Sequence, residues 1–218
     1  MAHHFDRSVD AGLVIAGGMS RRMGRDKAAL MLAGRSLLAR TIDAIGAPVI
    51  VVGHPELAEL IANCQRLEIG DSLPATFFDE PLAVALTRED PPLGGPAAGI
   101  VAGIKAMAAL DDDAVIQLMP VDLPNASQLM TCLDGADWQL GDGLAPVDED
   151  GRLQLPEGRY RLGALRAASQ QLGDPHGSSV YRLLGQIERQ EVTLPTSALQ
   201  DVCLLYTSDA ADEEDSVD

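Results

Sequence analysis

The segment from Leu13 to Leu30 reads LVIAGGMSRRMGRDKAAL. An apolar run leads into a glycine pair, a serine hydroxyl and a string of cationic side chains. Gly17, Gly18 and Gly24 let the backbone turn successive N–H groups inward and let an anion approach the main chain closely. Ser20 sits among them. Arg21, Arg22, Arg25 and Lys27 together can neutralise a triphosphate, with Lys27 as a compact charge on phosphate oxygens. The spacing matches neither G-x-x-x-x-G-K-[ST] nor G-x-G-x-x-G, so the Walker loop and the dinucleotide fingerprint are both absent. For any one of these arginines, a solvated surface turn is the competing reading. For the whole string directly behind a buried strand, an anion cradle explains more.

A second candidate is Asp122, in Pro120-Val121-Asp122-Leu123-Pro124. It follows an apolar run and stands just past the carboxyl end of an expected strand, where ligands of open α/β sheets bind. Read alone, it would be a helix cap or a turn carboxylate ahead of Pro124. The histidines, His3, His4, His54 and His176, lie beside no serine or cysteine of these motifs, so Ser-His-Asp chemistry has no support. His54 reads as a solvated loop residue in preference to the wall of a base pocket.

These side chains need elements to position them, and the hydrophobic pattern supplies candidates. Ala11 to Ala16 and Pro48 to Gly53 (PVIVVG) read as buried strands. Ser36 to Ile45 has helical spacing, with Leu37, Leu38, Thr41, Ile42 and Ile45 on one side and Ser36 as N-cap. Pro55 to Ala62 follows as a helix that tolerates Pro55 at its start. Gln65 to Pro81 reads as a loop-rich excursion. Ala83 to Arg88 and Ala114 to Met119 are further strands, and Gly95 to Leu110 is a long helix of small residues. Gly143 to Val147 and Arg152 to Leu162 flank a hairpin turn at Asp150-Gly151. Two more helices, Gly163 to Leu172 and Ser178 to Ile187, and a short strand, Glu191 to Leu194, complete the pattern. The β-α-β-α rhythm predicts a parallel α/β sheet. The first 125 or so residues carry the nucleotide-type half, and the rest continues as a mixed region covering an acceptor site.

Composition agrees. The chain has 218 residues, 46% hydrophobic but only 3% aromatic, which favours aliphatic helices packed on a buried sheet. A formal net charge of -17 argues against nucleic acid as a partner. The only lysines are Lys27 and Lys105. Cys64, Cys132 and Cys203 form no CxxC pair, consistent with free thiols in a reducing compartment. No apolar run approaches the about 20 residues of a membrane helix, and Met1 to Asp10 lacks the apolar core of a signal peptide. The expectation is a cytoplasmic monomer.

Leu13 to Leu30 resembles the LAGGxSxRMGxDKxL signature of the molybdenum cofactor guanylyltransferase family, with Ile15 in place of the usual leucine. Glu89 to Ile100, EDPPLGGPAAGI, is similar to that family's GPLAG segment, and Pro120 to Pro124 to its PCDMP segment. The resemblance covers about residues 11 to 202. It implies a three-layer α/β/α nucleotidyltransferase fold, Rossmann-like with a mostly parallel sheet. It also implies transfer of GMP from GTP to molybdopterin, with release of pyrophosphate. On that resemblance, Leu13, Ala16, Gly17, Gly18, Ser20, Arg21, Gly24 and Lys27 wrap the nucleotide, and Arg21 and Lys27 meet the charge that builds up during transfer. Gly95 and Gly99 let a helix start approach the nucleotide, Asp90 contacts ribose or base, and Asp122 holds Mg²⁺. Cytidylyl transfer to molybdopterin and nucleotidyl transfer to a sugar phosphate are the nearest alternatives. A non-catalytic GTP-binding module is another, which the presence of both Lys27 and Asp122 disfavours.

The family leads one to expect an N/D-x-N/D-T-P-x-D segment near the end. Gln200-Asp201-Val202 looks like the approach to it. From Cys203 to Glu213 the chain then reads CLLYTSDAADE, which matches an in-frame translation of a transposon-type sequencing adaptor; a genuine acidic disordered tail is the competing reading. The sequence therefore predicts one domain over 11–202, shortened at its end, between a disordered start (1–10) and a non-native, disordered tail (203–218).

Overall fold

The computed structural model describes residues 9–17, 27–61, 66–71, 73–80 and 83–202. The first strand, β1 (Ala11–Ile15), is followed after a single 3-10 turn (Lys27–Ala29) by a small hairpin, β2 (Met31–Leu32) and β3 (Arg35–Ser36). Next come α1 (Leu37–Ile45), β4 (Val49–Val52), α2 (Ala58–Ile61), β5 (Arg66–Ile69), α3 (Ala75–Phe78) and β6 (Ala83–Thr87). The chain continues through α4 (Pro96–Ala106), β7 (Val115–Pro120), α5 (Ala126–Asp134), β8 (Gly143–Val147) and β9 (Arg159–Arg161). It closes with α6 (Leu162–Leu172), α7 (Val180–Leu184), β10 (Arg189–Thr193) and α8 (Thr196–Leu199).

Eight strands form one sheet in the order β10-β8-β9-β7-β1-β4-β6-β5. All pairings are parallel except those of β9, which runs against both β7 and β8. The expected mostly parallel sheet is therefore what forms. Alternation along β1 sends Leu13 into a core shared with α3, α4, α6 and α7, and Val14 into a second core shared with α1, α2 and α5. Burial on both faces explains why β1, β4 and β6 read as continuous apolar runs.

Local structure follows local sequence closely in the first half. Ser36 caps α1 by accepting a hydrogen bond from the Ala39 N–H at 3.2 Å. The buried face of α1 is the expected set Leu37, Leu38, Thr41, Ile42 and Ile45. The expected turn at Asp150-Gly151 is present, with the Asp148 N–H donating to the Arg152 carbonyl at 3.0 Å.

Four readings are corrected. Gln65 to Pro81 holds a strand and a helix, β5 and α3. As a short edge strand paired only to β6, β5 needs no apolar run, and Arg66, Glu68 and an exposed Ile69 satisfy it. Helix α4 stops at Ala106, because Met107 to Leu110 tighten into turns that remain partly buried. The run from Arg152 to Leu162 is interrupted by a 3-10 turn at Leu155–Glu157. The last expected helix contracts to Val180–Leu184, capped by Ser179. Helices α5 and α8 had no counterpart in the sequence reading, although Ala126, Leu129, Met130 and Leu133 keep a helical spacing. Asp10, placed in the expected disordered start, exchanges hydrogen bonds with the backbone of Val115. Residues 1–8 and 203–218 lie outside the described residues.

Helix α4 lies close on β1 because glycines face the sheet. A Cβ on Gly103 would collide with Leu13 Cδ1 and come within 3.1 Å of its Cγ, whereas one on Gly99 would meet Val52 Cγ1 at an ordinary 3.5 Å. Gly103→Ala is expected to lose about 1–3 kcal/mol by overpacking. Gly99→Ala is expected to be neutral or slightly stabilising, since alanine favours the helix. Urea denaturation of the two variants checks this; equal midpoints would contradict it.

Candidate functional site

The site grows from the strand ends. β1 lies between β4 and β7, so the loops leaving β1, β4, β6 and β7 emerge at one edge. Backbone bonds tie those ends together. The Ala16 N–H donates to Val52 O at 2.9 Å, the Gly53 N–H to Thr87 O at 3.0 Å, and the Val121 N–H to Ile15 O at 3.2 Å. Ala16 is buried and Gly17 is exposed at this edge.

Two expected site residues meet there. The Lys27 Nζ donates to Asp122 Oδ2 at 2.6 Å, and each side chain keeps 22% of its surface exposed. Lys27 is held by the 3-10 turn that buries Ala28 beneath it. Asp122 is held by its main chain, whose carbonyl accepts from the Val202 N–H at 3.0 Å. Two further bonds fix the following loop. Arg40 Nη2 donates to the Pro124 carbonyl at 3.2 Å, and Asn125 Nδ2 donates to the Ser197 carbonyl at 2.9 Å.

The sequence reading missed a second carboxylate near Asp122. Glu157 is buried, and its Oε2 has no hydrogen-bond partner. Burial pushes its carboxyl up to about 8, and the negative charges of Asp122 and then Asp201 add to the rise. Asp122, Glu157 and Asp201 thus share one electrostatic neighbourhood. Asp201 had a signal, because it stands in the Gln200-Asp201-Val202 segment. Glu157 had none, since Leu155-Pro156-Glu157 reads as part of a hairpin.

The remaining expected residues are distributed as follows. Gly95 begins α4 with φ 91°, a conformation that favours glycine, and no side chain caps this helix. Its neighbour Gly94 accepts from the Gly177 N–H at 2.8 Å, which joins the 174–178 loop to the same region. Asp90 is exposed on the loop before α4. Leu13 and Gly99 are turned toward each other's layers, so the contacts seen for both are between helix and sheet. His54 is exposed and caps a 3-10 turn, its Nδ1 accepting from the Glu56 N–H at 3.4 Å. Gly18, Ser20, Arg21 and Gly24 lie outside the described residues.

A divalent cation fits beside Asp122. The ammonium of Lys27 already stands there as a cationic stand-in, 2.6 Å from Oδ2. Among the described residues, no three His, Cys, Asp or Glu side chains are gathered tightly enough to hold a metal alone. Mg²⁺ suits such a site, because it characteristically takes one or two carboxylates and completes its shell with phosphate oxygens and water.

The model of the MobA-like NTP transferase domain matches residues 12–192. The chain belongs to the MobA-like NTP transferase family. A molybdenum cofactor guanylyltransferase of Cereibacter sphaeroides is 35% identical over 142 residues, 64% of this chain and 62% of that protein. The chain thus matches less than two thirds of the length of that relative. A probable molybdenum cofactor guanylyltransferase of Bacillus cytotoxicus is 26% identical over 187 residues, covering 84% and 83% of the two chains. In three dimensions the chain is similar to the molybdopterin-guanine dinucleotide biosynthesis protein A of Archaeoglobus fulgidus. The TM-score is 0.53 at 17% identity, covering 87% of this chain and 85% of that one.

In this MobA-like chain, Glu157 makes stability depend on pH. Its carboxyl is raised from 4.5 to about 8 in the folded protein. Below 4.5 both folded and unfolded states are protonated, and no penalty exists. As pH rises from about 4.5 to 8, the unfolded state ionises first, so the folded state loses stability, by a total on the order of 4 kcal/mol. Glu157→Gln is therefore expected to stabilise the protein more at pH 8.5 than at pH 5. Denaturation midpoints of both proteins across that range check it; a difference that stays constant with pH would show that Glu157 ionises normally.

Proposed function

We propose that this protein transfers GMP from GTP to molybdopterin, giving the guanine dinucleotide form and pyrophosphate. The observation that carries the reading is the Lys27–Asp122 pair at the strand ends, directly beyond the glycine-rich loop of a MobA-like chain. A cation from one loop and a carboxylate from another converge where ligands of open α/β sheets bind. The names of the two relatives support the choice of donor and acceptor.

An oxygen of the pterin's terminal phosphate attacks the α-phosphorus of GTP, the bond from that phosphorus to the bridging oxygen breaks, and pyrophosphate leaves with the electron pair. No protein nucleophile is required. The barrier is set by bringing anions together, so catalysis consists of positioning and charge stabilisation. Lys27, with Arg21 from the same loop, neutralises the triphosphate. Asp122 would hold Mg²⁺, which supplies charge neutralisation on the phosphate oxygens. The backbone around Gly17 and Gly18 lets the phosphates approach, and the start of α4 at Gly95 turns unpaired N–H groups toward the anion. Asp90 is assigned to the nucleoside end.

Purified protein with Mg²⁺, molybdopterin and each of the four NTPs in turn is expected to release pyrophosphate with GTP. Turnover with CTP alone would make it a cytidylyltransferase, and no turnover with any NTP would leave a binding module. Within the same assay Lys27→Ala is expected to lower the rate by about 10²–10³ while leaving the melting temperature nearly unchanged. A large drop in melting temperature with near-normal turnover would contradict the role given to Lys27.

A further inference from the structure

We infer that Lys27 is the resident counter-ion of the metal carboxylate: in the ligand-free protein its ammonium occupies Asp122, and a divalent cation binds there only as Lys27 leaves for the phosphates. The inference rests on the reading above and adds a rule for how the site fills. Nζ and Oδ2 stand 2.6 Å apart, in direct charge-assisted contact. A hard cation on the same carboxylate would sit about 2.0–2.1 Å from its oxygen. It would then face the ammonium across a few ångströms with like charge, in a site only partly open to solvent.

The surroundings favour exchange over shared occupancy. Asp122 is fixed through its backbone by Val202, whereas Lys27 carries its charge on a flexible stem. With the side chain of Asp122 still 22% exposed, an entering cation has access from solvent. A triphosphate offers Lys27 an alternative partner with several negative oxygens. Its arrival therefore frees Asp122, and the cation bound to those phosphates takes the vacated carboxylate. Free metal alone must displace Lys27 without that help. Metal and nucleotide are consequently coupled by more than their own chelation in solution, and the coupling passes through one lysine.

The test uses the intact, nucleotide-free protein and Mn²⁺ alone, titrated by electron paramagnetic resonance. Lys27→Met is expected to bind Mn²⁺ at least tenfold more tightly than wild type. Lys27→Arg, which keeps the pairing, is expected to stay near wild type, and Lys27→Met with Asp122→Asn is expected to lose the gain. Equal or weaker Mn²⁺ binding in Lys27→Met would overturn the inference.

A second measurement needs no lysine variant. The chain has only two lysines, Lys27 and Lys105, so lysine labelled at Nζ and Cε gives two side-chain signals. Mg²⁺ raised until it occupies Asp122 without nucleotide should shift the Lys27 signal and leave that of Lys105, and Asp122→Asn should abolish the shift. A Lys27 signal indifferent to Mg²⁺ at concentrations where Mn²⁺ binds the wild type would also overturn it. The two readings fail separately. Absence of GTP turnover with these metal effects intact removes the proposed substrate and keeps the exchange. GTP turnover without them keeps the substrate and removes the exchange.

Discussion

The pairing of β1 with both β4 and β7 is the constraint on which the rest depends. Its residues are almost entirely buried between two cores, so its backbone groups must be satisfied by neighbouring strands. Both neighbours run parallel to it, and all three therefore end at the same edge. The chain goes from β1 to β4 on one side and reaches β7 on the other much later, which opens a crevice at the reversal. Residues 95 positions apart, Lys27 and Asp122, meet across it. The bond from Val121 to Ile15 continues the pairing just past the strand ends, so the loop bearing Asp122 inherits the order of the sheet.

Electrostatics sets the second constraint. A chain of net charge -17 must bind a polyanion through local cations, because charges beyond about 10 Å are largely screened at 0.1 M salt. Inside the site the balance is tighter still. Burial above all, and then the negative charges of Asp122 and Asp201, raises the carboxyl of Glu157. Protonation of Glu157 chiefly removes the cost of a buried charge, whereas Lys27 offsets the charge of Asp122 directly. Any ligand that brings positive charge to Asp122 must compete with Lys27.

How much of this was legible follows from how local each feature is. Helix α1 was readable to the residue, since its cap and apolar stripe lie within ten consecutive positions. Strands β1, β4, β6 and β7 were readable because burial on both faces writes an unbroken apolar run. Strand β5 was not, because an edge strand is free to carry Arg66 and Glu68. Lys27 and Asp122 were each marked by their motifs, but their direct contact depends on sheet order, which no local pattern encodes. Glu157 was illegible for a related reason. Its chemistry comes from burial, and burial comes from a 3-10 turn lodged between β8 and β9 against β7.

The glycines of α4 carry a packing role that the motif alone does not display. Gly95 and Gly99 were both assigned to the approach of a nucleotide. Gly95 carries a backbone conformation that would strain most other residues, at the uncapped start of the helix. Gly99 and Gly103 face Val52, Ile15 and Leu13, and they permit close contact between helix and sheet. The two roles are physically linked. A helix held tight on β1 and β4 has its axis, and hence the positive end of its dipole, fixed relative to the strand ends. Removing the close contact at Gly103 would tilt or lift that end even with Gly95 intact. Small residues deep in the helix are in this way part of the geometry at its mouth.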